Sequence, residues 1–160
     1  MRRSLVLLAV STAVTLAGRA HADNIAPGAQ GHPMAAAPVR TDLEPLRKRF
    51  PQLGHISSSV WQCRVIGGDS LVPGPSDTLI QALVELDPAD LATITGGYTW
   101  QPAPDCWSEH LSDQLRPYMP ADGDWRYSQR FEADARTPLY HGSVCVEMRG
   151  GTVYLNVATS

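Results

Sequence analysis

The sequence predicts an α+β domain: an antiparallel sheet of about four strands with two or three short helices, ending in a β-hairpin. Three observations predict it. Two β-rich runs come early and two come late, capped helical segments lie between them, and the last two runs flank Gly150-Gly151, a turn too short for a crossover.

Before the domain, Met1-Arg2-Arg3 gives a positive start and Leu5 to Ala17 an apolar run closed by Arg19. That run is shorter than the roughly 20 residues a bilayer span needs. Ala20-His21-Ala22 then offers a small-x-small cleavage site, so residues 1–22 read as a secretory signal and the mature product as a secreted, extracellular protein. No cysteine follows the apolar run to take a lipid, and no later run is long enough to cross a membrane. Residues 23–40, rich in Ala, Gly and Pro and without an aromatic, read as a flexible leader. Residues 41–160 are left as a single domain.

The elements of that domain follow in order. Thr41-x-x-Glu44 offers a capping box to a helix with Leu43, Leu46 and Phe50 on one side, stopped by Pro51. Ser59 to Ile66 is the first strand, with Trp61, Cys63 and Val65 on one face. Two glycines and two prolines make residues 67–77 a loop, after which Ile80, Ala82, Val84 and Leu86 alternate along a second strand, Thr78 to Leu86. Asp87-Pro88 caps a second helix that Gly96-Gly97 ends. Asp105 is expected to cap a third, in which Trp107, Leu111, Leu115 and Tyr118 recur at helical spacing. Ser143 to Arg149 and Thr152 to Ala158 form the closing hairpin around a two-residue loop.

Without the signal, ten basic residues face 16 acidic ones, a net charge of −6. Such a field repels phosphate backbones and anionic headgroups, so nucleic acid is not an expected partner. The short cluster Arg47-Lys48-Arg49 reads as the solvated face of the first helix.

Three cysteines, Cys63, Cys106 and Cys145, enter an oxidising compartment, which implies one disulfide and one leftover thiol. Loop-closure entropy separates the possible pairs by only about 0.6 kcal/mol. Cys63 lies mid-strand beside Trp61, where a thiol acts as a small buried hydrophobe, so the reading favours Cys106 with Cys145. His110 and His141 lie near two of the cysteines in sequence, which makes a reactive nucleophile the sharper reading of the odd thiol, although a histidine at that distance is also common by chance.

Gly68-Asp69-Ser70-Leu71, following an apolar strand, resembles the Gly-Asp-Ser-Leu motif of the secreted lipases and esterases named after it. The resemblance implies a nucleophilic Ser70 at the end of the first strand of a parallel α/β/α sandwich, with a helix directly behind it. Val72-Pro73-Gly74-Pro75 blocks that helix, and no Asp stands three residues before any histidine to complete a triad. A secreted serine esterase using Ser70 is therefore the alternative reading, with a Gly-Asp-Ser turn as the simpler one.

Asp122-Gly123-Asp124 lacks the further oxygen ligands of a calcium loop, the histidines and cysteines have no zinc spacing, and no phosphate loop is present. No cofactor or metal is implied. Tyr98, Trp100, Trp125 and Tyr127 crowd with prolines into the centre of the chain and are the candidate binding residues, because broad rings with a polar edge suit sugars or peptide prolines. Trp107, at helical spacing, is expected in the core.

The Arg-Arg signal, the Ala/Pro-rich leader, one lysine against 12 arginines, and the segments 70–77 and 98–103 together resemble small exported proteins of high-GC Gram-positive bacteria. That resemblance implies no activity or site residue. The expected function is non-enzymatic binding of a cell-envelope or extracellular partner. A protective or structural role, with the odd cysteine as a tether, is the third reading.

Overall fold

A computed structural model describes residues 37–66, 77–105 and 107–159. It is built on strands β1 (Ile56–Ile66), β2 (Asp77–Leu86), β3 (Gln101–Pro102), β4 (Trp125–Tyr127), β5 (Tyr140–Glu147) and β6 (Thr152–Thr159). Helices α1 (Glu44–Arg49), α2 (Pro88–Gly97) and α3 (Gln129–Arg136) accompany them, with 3₁₀ turns at Pro51–Leu53 and Arg116–Tyr118. The strands form one sheet in the order β1-β2-β6-β5-β4-β3, and every neighbouring pair is antiparallel. The α+β class is as expected, but the sheet has six strands rather than about four. The two extra strands span two and three residues, too few for alternation to register in a sequence. An antiparallel sheet is also not the parallel sandwich that the Gly-Asp-Ser-Leu resemblance implies.

Both faces of the sheet are covered. On one, Trp61, Ile80, Ala82, Val84, Val144, Val153 and Leu155 meet Leu46, Phe50, Leu53, Ile94, Phe131 and Ala135 from the helices and the first 3₁₀ turn. On the other, Leu83 and Tyr154 meet Leu111 and Leu115 from the segment between β3 and β4. That segment is where the third helix was expected, and it is a succession of turns instead. Trp107, Leu111 and Leu115 each donate a backbone hydrogen bond three residues back, to Pro104, Ser108 and Ser112, at 3.0, 3.0 and 2.9 Å. The turns recur every four residues, so the apolar spacing that mimics a helix survives without one. Serine competition explains the difference: the Ser112 hydroxyl accepts from the Gln114 amide at 3.4 Å, offering the backbone a partner outside a helical ladder. Tyr118, expected on the same stripe, is exposed.

Other boundaries shift for local reasons. Helix α1 has Leu43 rather than Thr41 at its N-cap position and no side-chain cap, so the Thr41-Glu44 box is not made. Asp87 does cap α2, accepting from the Ala89 amide at 2.9 Å. Helix α3, which the sequence reading passed over, is capped by Ser128 on the Phe131 amide at 3.4 Å, and its single turn-spaced pair Phe131 and Ala135 is too short a stripe to announce it. The hairpin loop runs from residue 148 to 151 rather than over two residues, because the buried Glu147 carboxylate accepts from the amides of Arg149 (3.2 Å) and Gly150 within it. Where the described chain enters the domain, Arg40 and Trp61 exchange backbone hydrogen bonds of 2.8 and 2.9 Å outside β1, and the Arg40 guanidinium lies 4.2 Å from the Trp61 ring.

Candidate functional site

The face opposite the helices carries two cross-strand rows that the register sets side by side. One runs Tyr127, Cys145, Tyr154, Leu83, Val60 across β4, β5, β6, β2 and β1. The next runs Ser143, Asn156, Gln81, Gln62 across β5, β6, β2 and β1 and is wholly polar. Buried amides demand partners, and these find them in the turn segment above. Gln81 donates its side-chain NH₂ to the Asn156 Oδ1 at 3.2 Å and to the His110 carbonyl; Gln62 donates to the Gln114 Oε1 and the Ala37 carbonyl. The polar row thus straps residues 110–114 onto the sheet.

Beside that strap lies a cavity of about 400 Å³, floored by Tyr127, Ser143, Cys145 and Asn156 and walled by Pro104, Trp107, His110 and Glu132. Its size falls within the range of small-molecule sites. Trp107 is held from behind, 4.4 Å from the Trp125 ring and edge-on to Tyr154 at 5.1 Å, so its orientation is fixed by packing. Glu132 reaches in from α3, accepting from the Val144 amide at 3.2 Å and pairing with Arg136 at 3.1 Å.

The electrostatics of the cavity disfavour negative charge. Burial raises the Glu132 carboxyl above the ordinary glutamate value, although the Val144 amide and Arg136 both oppose it. Burial, then the neighbouring Glu132, push the Cys145 thiol up to about 12. Tyr127 is raised for the same two reasons in the same order. Burial thus works against the thiolate form of Cys145, and the cavity brings hydroxyl, amide, imidazole and ring surfaces together around it.

The four aromatic candidates do not share a face. Tyr127 lines the cavity and Trp125 backs it, whereas Tyr98 and Trp100 pack on the helical side against Phe131, with ring centroids 5.2 and 5.3 Å away. Cys145 lies on the cavity floor as a free thiol, like Cys63 on β1. Its expected partner Cys106, and Ser70, fall outside the described residues. Trp107, expected in the core, serves the core and the cavity wall together. Ser143, Asn156, His110 and Glu132 were not foreseen. Their one signal in the sequence is Asn156, a lone amide in the otherwise apolar stretch of β6 from Val153 to Ala158. Among the described residues, no group of three acidic, histidine or cysteine side chains is arranged to hold a metal ion. No helix there is long and apolar enough to cross a membrane. Comparison with protein-family models, with curated proteins and with solved structures finds no match.

Proposed function

We propose that this is an exported, non-enzymatic binding protein that takes a neutral, hydroxylated ring, such as a sugar unit of a cell-envelope or extracellular partner, into the cavity beneath the turn segment. The observation that carries this reading is the junction of Trp107 and Tyr127 with the hydroxyl of Ser143 and the amide of Asn156 in one cavity of about 400 Å³. Flat apolar rings beside a few convergent polar groups match a ligand with one greasy face and a hydroxyl edge. Charge supports neutrality, since burial raises both Glu132 and Tyr127, which line the cavity, and so works against added negative charge there.

The test is a titration with neutral methyl glycosides and N-acetylated sugars, followed by tryptophan fluorescence and by amide shifts of Ser143 and Asn156. Saturable shifts in the wild type, weakened about tenfold by Ser143→Val in a variant with an unchanged melt, are the expected result. A full panel that moves neither signal rejects the reading. Export is tested by sequencing the mature N-terminus, expected at Asp23; Met1 in the culture medium rejects it.

We propose further that oxidation during export joins Cys106 to Cys145 and so replaces the free Cys145 thiol described above. Cys145 faces Pro104 and Trp107, the described residues nearest position 106 on its two sides that line the cavity, and a bond there would fasten the cavity wall to its floor.

A further inference from the structure

A second recess lies between α1 and the turn that joins α3 to β5. It measures about 930 Å³. Its apolar surface comes from Pro45, Pro51, Pro138, Leu139 and Tyr140, and its charged rim from Lys48, Arg49 and Glu44, the last of which lies 3.6 Å from Arg47. The turn is built to present its tip: the Tyr140 amide bonds to the Thr137 carbonyl at 3.3 Å, and Leu139 is left 72% exposed. Thr137 holds that geometry at a φ of 57°, a left-handed conformation that a β-branched residue adopts only at a cost.

We propose that this groove binds a single-chain anionic amphiphile, a long-chain carboxylate, with the alkyl chain along the prolines and the head at Lys48 and Arg49. Two features select that chemistry. Three of the lining residues are prolines and supply no N–H, so a peptide laid there would leave its own carbonyls without donors, whereas an alkyl chain has no polar groups to satisfy. The rim belongs to Arg47-Lys48-Arg49, three consecutive cations on a chain whose net charge is −3, so an anionic head is drawn to this place. The two neighbours of Lys48 are engaged within the domain. Arg47 donates to the Ile56 carbonyl at 2.7 Å and lies 3.6 Å from Glu44, and Arg49 donates to the Pro45 carbonyl at 3.0 Å. Lys48 makes no ion pair among the described residues.

The experiment is calorimetry and amide-shift mapping of the whole mature chain with dodecanoate below its micelle concentration, beside dodecyltrimethylammonium, dodecyl maltoside and phosphatidylglycerol vesicles. Expected is saturable one-to-one binding of dodecanoate, with shifts at residues 45–51 and 137–140. It should be at least about tenfold tighter than either other amphiphile and weaker at high salt. Lys48→Glu and Leu139→Asp should each lower it about tenfold with the melting curve unchanged, since both side chains are exposed. Equal affinity for the three amphiphiles, no effect of either variant, or association with vesicles without saturable monomer binding would each overturn the proposal.

Discussion

The Glu132 carboxylate accepts the Val144 amide proton at 3.2 Å where β4 stops pairing with β5 at Tyr127 and Cys145. A side chain from α3 therefore replaces the next rung of the sheet. The substitution is costly in charge, because burial holds the Glu132 carboxyl above its ordinary value.

A folded-state value above the unfolded one means that the native protein holds this proton more tightly. The stabilisation is fully present below the ordinary glutamate range and is lost as pH rises through the raised value. Urea denaturation from pH 4 to pH 7 should show this loss in the wild type. Glu132→Gln keeps an acceptor for the Val144 amide and should flatten the profile, with stability at pH 7 within about 1 kcal/mol of wild type. A variant profile parallel to the wild-type one contradicts the assignment.

Tyr154 is wholly buried, and its Oη is the one buried side-chain polar atom without a hydrogen-bond partner among the described residues. Burial also pushes the phenol up to about 12. Tyr154→Phe removes an unpaired hydroxyl and keeps the ring against Trp107, so it should stabilise the domain by about 1 kcal/mol, read from the urea midpoint. A loss of stability would show that the hydroxyl has a partner.

Gly142 sits opposite Val157 with a φ of 131°, and a Cβ there would lie 2.1 Å from the Asn156 carbonyl oxygen and 2.9 Å from the Val157 Cα. Neither backbone atom can yield without parting β5 from β6. Gly142→Ala should cost more than about 2 kcal/mol and disturb the amide signals of Ser143 and Asn156 on the cavity floor. A melt within 2 °C of wild type rejects this reading.

Cys145, with its thiol near 12, has a thiolate fraction on the order of 10⁻⁵ at pH 7. Iodoacetamide applied to the reduced native protein should therefore modify Cys63, which is only partly buried, well before Cys145. Unfolding should remove the difference. Peptide mapping by mass spectrometry reads the order directly.

What the sequence discloses of this molecule depends on how far apart the cooperating residues lie. The four long strands and helix α2 are written locally, in alternation such as Ile80-Ala82-Val84-Leu86 and in the Asp87-Pro88 cap, and they appear within three residues of their expected ends. The cavity is written nowhere locally. It needs β4 to bring Tyr127 opposite Cys145, β6 to bring Asn156 opposite Ser143, and a loop some 40 residues away in sequence to supply Trp107. The same non-locality splits Tyr98 and Trp100 from Trp125 and Tyr127: all four fall in the central part of the chain, but the segment entering β3 places the first pair against the helical side while β4 carries the second pair toward the other. Periodicity misleads at Trp107, Leu111 and Leu115, because a turn repeated every four residues leaves the same apolar imprint as a helix.

The Arg40–Trp61 pairing has a consequence for proteolysis. Arg40 is a trypsin site by composition, yet its own amide and carbonyl are both engaged by Trp61, its guanidinium is clamped to Asp42 at 2.6 Å, and the Trp61 indole holds the Asp42 carbonyl at 3.0 Å. A protease must open the local structure around a bond before it can cut, and this stretch is held by its bridge to the edge of β1. Trypsin should therefore spare the bond after Arg40 while the sheet is intact, and a cut there should report the opening of the β1 edge.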